Sequence, residues 1–357
     1  MGGKERVAVL LFNLGGPKTL DDVEPFLVNL FSDPDIMDLP PLVGRFLPRL
    51  IARRRAPKSR TYYEAIGGGS PLLAITEDQR RLVEERLNGS GSNRDFRVFL
   101  AMRYAPPRLS EIREALLACR PERLVLLPLY PQRSTTTTRS SFREFRETML
   151  RSLALPPDRL HVVAAWPDYP PYIAALGETV YKAIEALPSN DHPVDILFSA
   201  HGIPESRIRK GDPYQKDTER TVEAVRSFLE KEVPERKLRF HLSYQSRVGP
   251  LKWLGPETKK TIGELALRHR CVNLVLVPVS FVSDHQETLY EMDITYRDLA
   301  RSSRILHFER APALNIQDSF IAALSNLTKE ALENRCPTGA PCSCRCGVCP
   351  GETSRLE

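Results

Sequence analysis

The chain has 357 residues, 41% of them hydrophobic and 27% charged, so it can form two domains and stay soluble. Its formal net charge of +6 is spread along the chain, and no basic run is interleaved with aromatic residues as in a nucleic-acid-binding module. We therefore expect an acidic small molecule or an anionic membrane surface as partner, and no nucleic acid. The apolar run at residues 7–12 is too short for the core of a signal peptide, and no apolar run reaches the roughly 18 residues that span a bilayer, so we expect a cytoplasmic location.

Short apolar runs alternate with amphipathic stretches along the chain. Runs of this length predict buried parallel strands, and the stretches between them predict helices. The predicted strands cover residues 7–13, 96–102, 123–130, 160–165, 194–200, 239–243, 272–282 and 303–310. The predicted helices cover residues 20–31, 75–87, 109–119, 141–151, 172–187, 217–231, 257–268, 284–300 and 316–335. The alternation predicts an α/β fold with parallel, doubly wound sheets.

Two stretches near the amino terminus interrupt this pattern. Residues 32–48 contain four prolines, which favour a loop with short helical pieces. Residues 45–60 alternate apolar side chains with seven lysines and arginines. A solvated charged surface and a basic rim for an anionic ligand explain that run equally well.

The two halves of the chain resemble each other at matching positions. Residues 7–17 and 195–204 are both a strand that ends in a turn containing glycine and proline. The repeat predicts two related domains at residues 1–165 and 166–311, followed by a terminal helix and a cysteine-rich tail at residues 312–357. Facing each other, two such domains would leave a cleft between the carboxyl ends of their strands.

His201 lies at the end of the fifth predicted strand, where Gly202 and Pro204 stop the strand. Open α/β sheets bind their ligands at the carboxyl ends of strands. A lone histidine with local hydrogen bonds would be structural, so a functional interpretation of His201 depends on a partner. Ser199 lies two residues earlier, and because no nucleophile elbow surrounds it, the pattern disfavours a serine hydrolase.

A second group of polar residues begins where the seventh predicted strand ends. Asp284, Glu287 and Glu291 are spaced three and four apart, so they share one face of the predicted helix. A solvated helix face would tolerate them, but the first turn leaves a buried strand, so we expect Glu287 to be partly buried. Burial would raise its pKa and make it a proton acceptor near neutral pH.

His201 and Glu287 both follow strands of the same predicted sheet. An imidazole and a carboxylate together suit a divalent cation of hard to borderline character. A permanent metal site would use three or four protein ligands, so two ligands favour a metal ion in transit. The pair therefore predicts a metal-handling cleft.

Five of the seven cysteines lie close together near the carboxyl terminus. They are Cys336, Cys342, Cys344, Cys346 and Cys349. Clustered thiols in a cytoplasmic protein indicate a metal site, because a disulfide framework would distribute its cysteines through the fold. Four thiolates can hold a [2Fe–2S] cluster or structural Zn²⁺, and the spacing leaves open which four of the five would bind.

Nine short motifs follow one another in order through nearly the whole chain. They are Asn13-Leu-Gly-Gly-Pro17, Ile66-Gly-Gly-Gly-Ser-Pro71, Arg103-Tyr104, Tyr130-Pro-Gln, Ser199-Ala-His-Gly-Ile-Pro204, Gly211-Asp-Pro-Tyr214, Ser246-Arg-Val-Gly-Pro250, Trp253-Leu-Gly-Pro256 and Ser283-Asp-His-Gln-Glu-Thr-Leu-Tyr-Glu291. Together they resemble the ferrochelatase family, whose members insert Fe²⁺ into protoporphyrin IX. The resemblance implies two similar Rossmann-like domains, each a parallel sheet flanked by helices, around a porphyrin cleft. It also implies protoporphyrin IX and Fe²⁺ as substrates.

The resemblance further implies roles for individual residues. His201 resembles the family's proton acceptor or metal ligand beneath the macrocycle, and Glu287 resembles its carboxylate partner across the ring. Asp284, His285 and Glu291 resemble the supporting hydrogen-bond and proton-release groups.

The same resemblance implies a set of porphyrin-binding residues. Cationic groups near the propionates would be Arg55 and Arg103, because guanidinium groups match carboxylates in geometry. The other substrate-binding residues would be Leu14, Leu30, Phe31, Tyr63, Tyr104 and Phe281.

The cysteine tail has a counterpart in those ferrochelatases that carry a [2Fe–2S] cluster at this end. The animal pattern takes one ligand from the body of the protein, at a position that matches Thr135 here. Threonine cannot supply that ligand, so the tail would have to provide all four. Structural Zn²⁺ is the alternative.

Two other functions remain open from the sequence. One is a chelatase that loads cobalt or nickel into another tetrapyrrole, against which the full set of motifs argues. The other is an iron–sulfur redox or iron-sensing protein whose working site is the tail. An apolar product and a basic rim also suggest peripheral contact with the inner membrane face.

Overall fold

The computed structural model describes residues 4–89, 91–247 and 251–333, which form two compact units. Unit 1 contains residues 4–166 and 321–333, and unit 2 contains Pro167–Phe320. Each unit is built on one four-stranded parallel sheet, so the predicted α/β fold of two similar domains is confirmed. The five tail cysteines lie outside the described residues.

The sheet of unit 1 has the strand order β2-β1-β3-β4, with parallel neighbours throughout. Its strands are β1 (Glu5–Asn13), β2 (Arg94–Met102), β3 (Arg123–Pro128) and β4 (Leu160–Val162). Strand β1 is buried at every position from Val7 onward, as a central parallel strand with both faces covered should be. The first four apolar runs of the sequence are therefore these four strands.

Helices connect the strands of unit 1. They are α1 (Val23–Phe31), α2 (Pro41–Gly44), α3 (Leu47–Glu64), α4 (Leu72–Asn88), α5 (Leu109–Ala118), α6 (Ser140–Phe145) and α7 (Arg151–Leu153). Two π-helical segments, Thr135–Arg139 and Arg146–Leu150, flank α6, and a 3₁₀ turn at Pro157–Arg159 precedes β4.

The basic run at residues 45–60 forms most of helix α3. Pro48 lies in the first turn of α3, where its missing amide donor costs no hydrogen bond. Ala52 and Ala56 are fully buried four residues apart, so one side of the helix packs inward. The opposite side is exposed and carries arginines and lysine.

The sheet of unit 2 repeats the arrangement, with the order β6-β5-β7-β8 and parallel neighbours. Its strands are β5 (Val194–His201), β6 (Leu238–Gln245), β7 (Asn273–Val277) and β8 (His307–Arg310). The predicted strand at residues 272–282 is shorter than expected, because β7 ends before Pro278, which has no amide to donate.

Helices also connect the strands of unit 2. They are α8 (Pro170–Glu185), α9 (Glu205–Arg209), α10 (Tyr214–Glu232), α11 (Thr258–Arg268) and α12 (Arg297–Ser302). A π-helical segment, Glu287–Tyr296, leads into α12, where one α-helix was expected. Helix α13 (Asp318–Leu332) begins in unit 2 and belongs to unit 1 from Ile321. Within the described ranges, no helix combines the length and apolar character that a membrane span requires.

Candidate active site

Strands β5 and β6 bring His201 and Gln245 side by side at the carboxyl end of the unit 2 sheet. The two residues are paired in the parallel register, and each is the last residue of its strand. The amide of Gly202 donates to the Gln245 carbonyl at 2.9 Å. A Cβ atom at Gly202 would lie 2.6 Å from that carbonyl oxygen, so only glycine permits this close approach.

His201 is held by contacts at both its backbone and its side chain. The backbone amide donates to Ser280 Oγ at 3.3 Å, and that hydroxyl lies 2.7 Å from the phenol oxygen of Tyr214. The ring Nδ1 donates to Glu287 Oε2 at 2.8 Å. The His201 side chain is 39% exposed and that of Glu287 19% exposed, so the pair is partly shielded yet accessible to a ligand.

Glu287 and Glu291 meet at the hydroxyl of Ser246, the residue that follows β6. Ser246 Oγ lies 3.2 Å from Glu287 Oε2 and 2.8 Å from Glu291 Oε2. Both glutamates are on the π-helical segment that begins at Glu287. Since one hydroxyl carries one proton, Ser246 can donate to one carboxylate at a time, and the arrangement favours a proton on the other.

The ionisation of the two central residues is set by their contact. Burial alone would lower the pKa of His201, but the charge of Glu287, its hydrogen bond and the charge of Glu291 raise that pKa above its ordinary value. Burial would raise the pKa of Glu287, yet the charge of His201 and the hydrogen bond between them lower it. The contact therefore favours the form of the pair in which His201 is an imidazolium and Glu287 a carboxylate.

Glu291 is the carboxyl group that titrates near neutrality. Burial and the neighbouring charge of Glu287 raise its pKa to about 7. The sequence led us to expect a raised pKa at Glu287, and the structure gives that property to Glu291 instead. The difference arises because Glu287 has a cationic partner in His201, whereas Glu291 lies against another carboxylate.

Asp284 and His285 shortly precede Glu287 in the chain but have partners of their own. Asp284 accepts hydrogen bonds from Arg310 at 3.1 Å and from Asn315 at 2.8 Å. We expected Asp284, Glu287 and Glu291 to share one helix face, but the structure brings only the two glutamates together.

His285 donates from Nδ1 to the Ser283 carbonyl at 3.1 Å, and burial lowers its pKa, which favours the neutral ring. Its ring centroid lies 4.6 Å from that of Phe281, whose ring also meets His201 edge-on at 6.3 Å. Phe281 thus forms an apolar wall beside both histidines.

The predicted apolar porphyrin-binding residues of unit 1 lie in one hydrophobic cluster. The cluster includes Leu14, Leu30, Phe31, Tyr63 and Tyr104. The Arg55 guanidinium lies over the Phe31 ring at 5.5 Å, and burial lowers the pKa of Arg55. The structure therefore brings one predicted cation to the predicted apolar residues.

The guanidinium group of Arg103 binds side chains of its own unit. Its guanidinium donates to Asp33 Oδ2 and to Ser140 Oγ, both at 2.7 Å, and lies 3.4 Å from Glu144. The Arg103 side chain is 12% exposed. It also lies over the Tyr104 ring at 5.0 Å, so these contacts support the neighbouring tyrosine.

The described residues contain no group of three or more histidine, cysteine or acidic side chains arranged to hold a metal ion. The predicted ligands Cys336, Cys342, Cys344, Cys346 and Cys349 lie outside that part of the chain. Of the two body cysteines, Cys271 is buried and Cys119 is partly exposed, and both are free thiols.

Four contributors to the site were absent from the sequence-based prediction: Tyr214, Gln245, Ser246 and Ser280. Tyr214 and Ser246 do lie in the quoted motifs, but nothing in their local pattern indicates a role. Gln245 ends the strand next to His201 and Ser246 follows it, so knowledge of the strand order would have identified both.

Comparison with known proteins identifies relatives over nearly the whole chain. A family model described as "Ferrochelatase" matches residues 6–332. Ferrochelatase from Gloeobacter violaceus is 45% identical over 91% of this chain and 98% of its own length. Ferrochelatase from Pelagibacter ubique is 40% identical over 90% of each chain. The solved structure of SirB from Bacillus subtilis with Fe³⁺ matches 92% of this chain and 96% of its own with a TM-score of 0.55. At 10% identity, that last match shows a common fold alone.

Proposed function

The chain belongs to the ferrochelatase family and is a metal chelatase of haem biosynthesis, and we propose that His201 and Glu287 insert Fe²⁺ into protoporphyrin IX. The observation that carries this proposal is the 2.8 Å contact between His201 Nδ1 and Glu287 Oε2. An imidazole and a carboxylate at one site can exchange protons with a substrate and attract a divalent cation. Both functions are needed when a metal ion replaces the protons of a porphyrin.

Each metal ion inserted releases two protons from the porphyrin nitrogens. An imidazolium cannot take a proton, so His201 must first give up its own. An approaching dication lowers the pKa of His201 by repulsion, so Nε2 releases its proton to solvent while Nδ1 keeps the proton that it donates to Glu287. Nε2 can then accept a pyrrole proton, and the ring passes its Nδ1 proton to Glu287.

Ser246 gives that proton a route away from the metal. Protonated Glu287 donates to the Ser246 oxygen while the serine hydroxyl proton moves to Glu291. A pKa of about 7 lets Glu291 accept this proton and release it near neutral pH. The departing proton no longer opposes the incoming cation at His201.

Haem formation tests this proposal directly. Incubation of the chain with protoporphyrin IX and Fe²⁺ in the absence of oxygen should produce haem absorbance that depends on the protein. A parallel incubation with Co²⁺ or Ni²⁺ and a more reduced tetrapyrrole tests the rival chelatase function. Efficient insertion only in the parallel incubation would contradict an Fe²⁺–protoporphyrin reaction.

We assign porphyrin contacts to the apolar cluster of unit 1 and to Phe281 of unit 2. The clustering of Leu14, Leu30, Phe31 and Tyr63 supports the first assignment. Arg55, beside Phe31, is the cation we assign to a propionate. Because Arg103 is bonded to Asp33 and Ser140, we propose that it supports Tyr104 rather than binding propionate itself.

We further propose that the exposed surface at residues 45–53 contacts an anionic membrane surface. Phe46 is 73% exposed and Leu50 48% exposed, and the exposed Arg45, Arg49 and Arg53 lie among them. Apolar side chains flanked by arginine are the composition of interfacial helices. This contact would place the chain at the cytoplasmic face of the inner membrane.

Vesicle binding tests the membrane proposal. The Phe46→Ser, Leu50→Ser double variant should bind phosphatidylglycerol-containing vesicles at least about tenfold more weakly, because two apolar side chains no longer enter the interface. Leu267→Ser is the matched control, since Leu267 is 85% exposed on α11 of the other unit. Co-sedimentation gives the binding constants. Equal binding by both variants would exclude this surface.

We propose that four of the five tail cysteines hold a [2Fe–2S] cluster. The donor set supports this, because four thiolates are the usual ligands and the tail contains five cysteines between residues 336 and 349. When bound, the cluster would supply a redox-sensitive centre, and the insertion steps above do not pass through it. Structural Zn²⁺ suits the same thiolates and is the alternative.

Spectroscopy of freshly purified protein separates the two metals. We expect visible absorption and a reduced-state EPR signal, both of which should disappear when residues after 335 are deleted. Cys119→Ser, which changes an isolated thiol of the body, should keep both signals. Colourless protein that contains zinc would contradict the cluster. Metal insertion retained by the truncated chain would exclude an iron–sulfur protein whose working site is the tail.

A further inference from the structure

Three buried hydroxyls and one buried amide lie directly behind the candidate active site. Ser199 is on β5 two residues before His201, and Gln245 ends β6 beside His201. Ser199, Ser243 and Thr258 are each 0% exposed, and Gln245 is 1% exposed. Because buried polar groups require hydrogen-bond partners, the bonds among these side chains determine their orientations.

The Ser199 hydroxyl determines which way the Gln245 amide points. Ser199 Oγ donates to Gln245 Oε1 at 2.7 Å, and its oxygen lies 2.9 Å from Thr258 Oγ1. An amide has one acceptor oxygen and one donor nitrogen, so this bond turns Nε2 toward the site. Nε2 donates to Glu291 Oε2 at 3.2 Å and approaches Ser246 Oγ at 3.4 Å.

Oε2 of Glu291 is consequently held by donors from two elements. Ser246 Oγ lies at 2.8 Å, Gln245 Nε2 at 3.2 Å and the Tyr296 hydroxyl at 3.4 Å. Tyr296 is on the same π-helical segment as Glu291, so only Gln245 and Ser246 tie the carboxylate to β6. These bonds keep the Glu291 carboxylate in contact with the Ser246 hydroxyl, which also contacts Glu287.

We infer that Ser199 and Gln245 are positioning residues for metal insertion: Ser199 orients the Gln245 amide, and the amide holds the Glu291 carboxylate against Ser246. The inference rests on the proposed function, in which Glu291 receives protons from Glu287 through Ser246. Without the 3.2 Å hydrogen bond from Gln245 Nε2, the Glu291 carboxylate would be free to rotate away from Ser246, and the proton relay would lose its acceptor.

The same geometry excludes Ser199 as a nucleophile. Its hydroxyl is fully buried and donates to Gln245 rather than to a histidine. A serine hydrolase needs an accessible hydroxyl beside a general base. Ser199 therefore acts through Gln245.

Two alanine variants separate positioning from ordinary structural support. Ser199→Ala should lower kcat about tenfold with unchanged KM for porphyrin and Fe²⁺, because supporting residues of this kind affect turnover by about 10- to 100-fold. Ser243→Ala is the matched control: Ser243 is equally buried, contacts Thr258 at 2.9 Å and donates to the Phe198 carbonyl. It leaves the Ser199–Gln245 bond intact, so kcat should stay within about twofold of the unmodified chain.

Steady-state kinetics of both variants, with thermal unfolding measured in parallel, decide the inference. Equal effects of Ser199→Ala and Ser243→Ala on kcat, or no effect of either, would overturn it. If Ser199→Ala does not fold, Gln245→Met replaces it, since methionine has similar length and no donor, and kcat should fall by the same factor. Normal turnover in Gln245→Met would likewise overturn the inference. Failure of the unmodified chain to insert metal would instead contradict the proposed function.

Discussion

The His201→Ala variant is expected to lose nearly all metal insertion while it still binds protoporphyrin IX. The change removes the only imidazole that contacts Glu287 within the described residues. General acid–base groups contribute about 10²- to 10⁴-fold to turnover, and a loss in that range is expected here. Glu287 would also lose its cationic partner, so burial would raise its pKa and favour its protonated form. The variant would therefore lose its proton acceptor and the negative charge that attracts Fe²⁺ at the same time.

Metalloporphyrin absorbance gives the turnover of the variant, and quenching of porphyrin fluorescence gives its substrate binding. His192→Ala is the matched control, because His192 is exposed on the same unit ahead of β5. The control should retain both activities. Near-normal turnover in His201→Ala would remove His201 from the reaction. Loss of porphyrin binding together with turnover would instead indicate a role in binding.

The positions of the eight strands could be predicted from the sequence because apolar runs bounded by turn residues correspond to buried parallel strands. His201 and Glu287 could be paired for the same reason. His201 ends β5 and Glu287 follows β7, and parallel strands of one sheet end at the same edge. The sheet order then places β5 and β7 next to each other. The pattern of apolar runs therefore predicts the fold and the contact between His201 and Glu287, and no other contact of the site.

The ionisation of the two glutamates could not be predicted. Ten residues contain too few turns to distinguish 3.6 residues per turn from the wider π-helical winding at Glu287–Tyr296. Burial could be anticipated for Glu287, but the sign of its pKa shift depends on a 2.8 Å distance to His201, 86 residues away. The contact between Arg103 and Asp33 is likewise invisible in sequence, because 70 residues separate them.

The network behind the site was hidden for a related reason. Ser199 is two residues from His201, so its side chain points to the same side of β5 and invites a chemical interpretation. Its role emerges only when β6 brings Gln245 alongside. Pairing between strands thus assigns functions that a linear motif cannot.

Glu287→Gln should lower turnover by about 10²-fold or more with little change in thermal stability. Glutamine has the same shape and can accept from His201 and Ser246, so the fold should tolerate it. It cannot take up a proton, so His201 would have no route for the proton that it removes from the porphyrin. Removing the Glu287 charge also takes away the main influence that raises the pKa of His201, and burial then lowers that pKa.

The same substitution should change the pH dependence in a defined direction. Turnover of the unmodified chain should rise with pH near neutrality, as Glu291 loses its proton and becomes able to accept one. Without repulsion from Glu287, the pKa of Glu291 should fall below about 7, so the remaining turnover of the variant should lack this rise. Turnover measured from about pH 6 to about pH 9 tests this, with Glu264→Gln on the exposed side of α11 as the matched control. If Glu287→Gln merely raises the Fe²⁺ concentration needed for half-maximal turnover at unchanged kcat, then Glu287 binds the metal and does not transfer protons. A fall in kcat at saturating Fe²⁺, whether or not the Fe²⁺ requirement also rises, is the result that proton transfer demands.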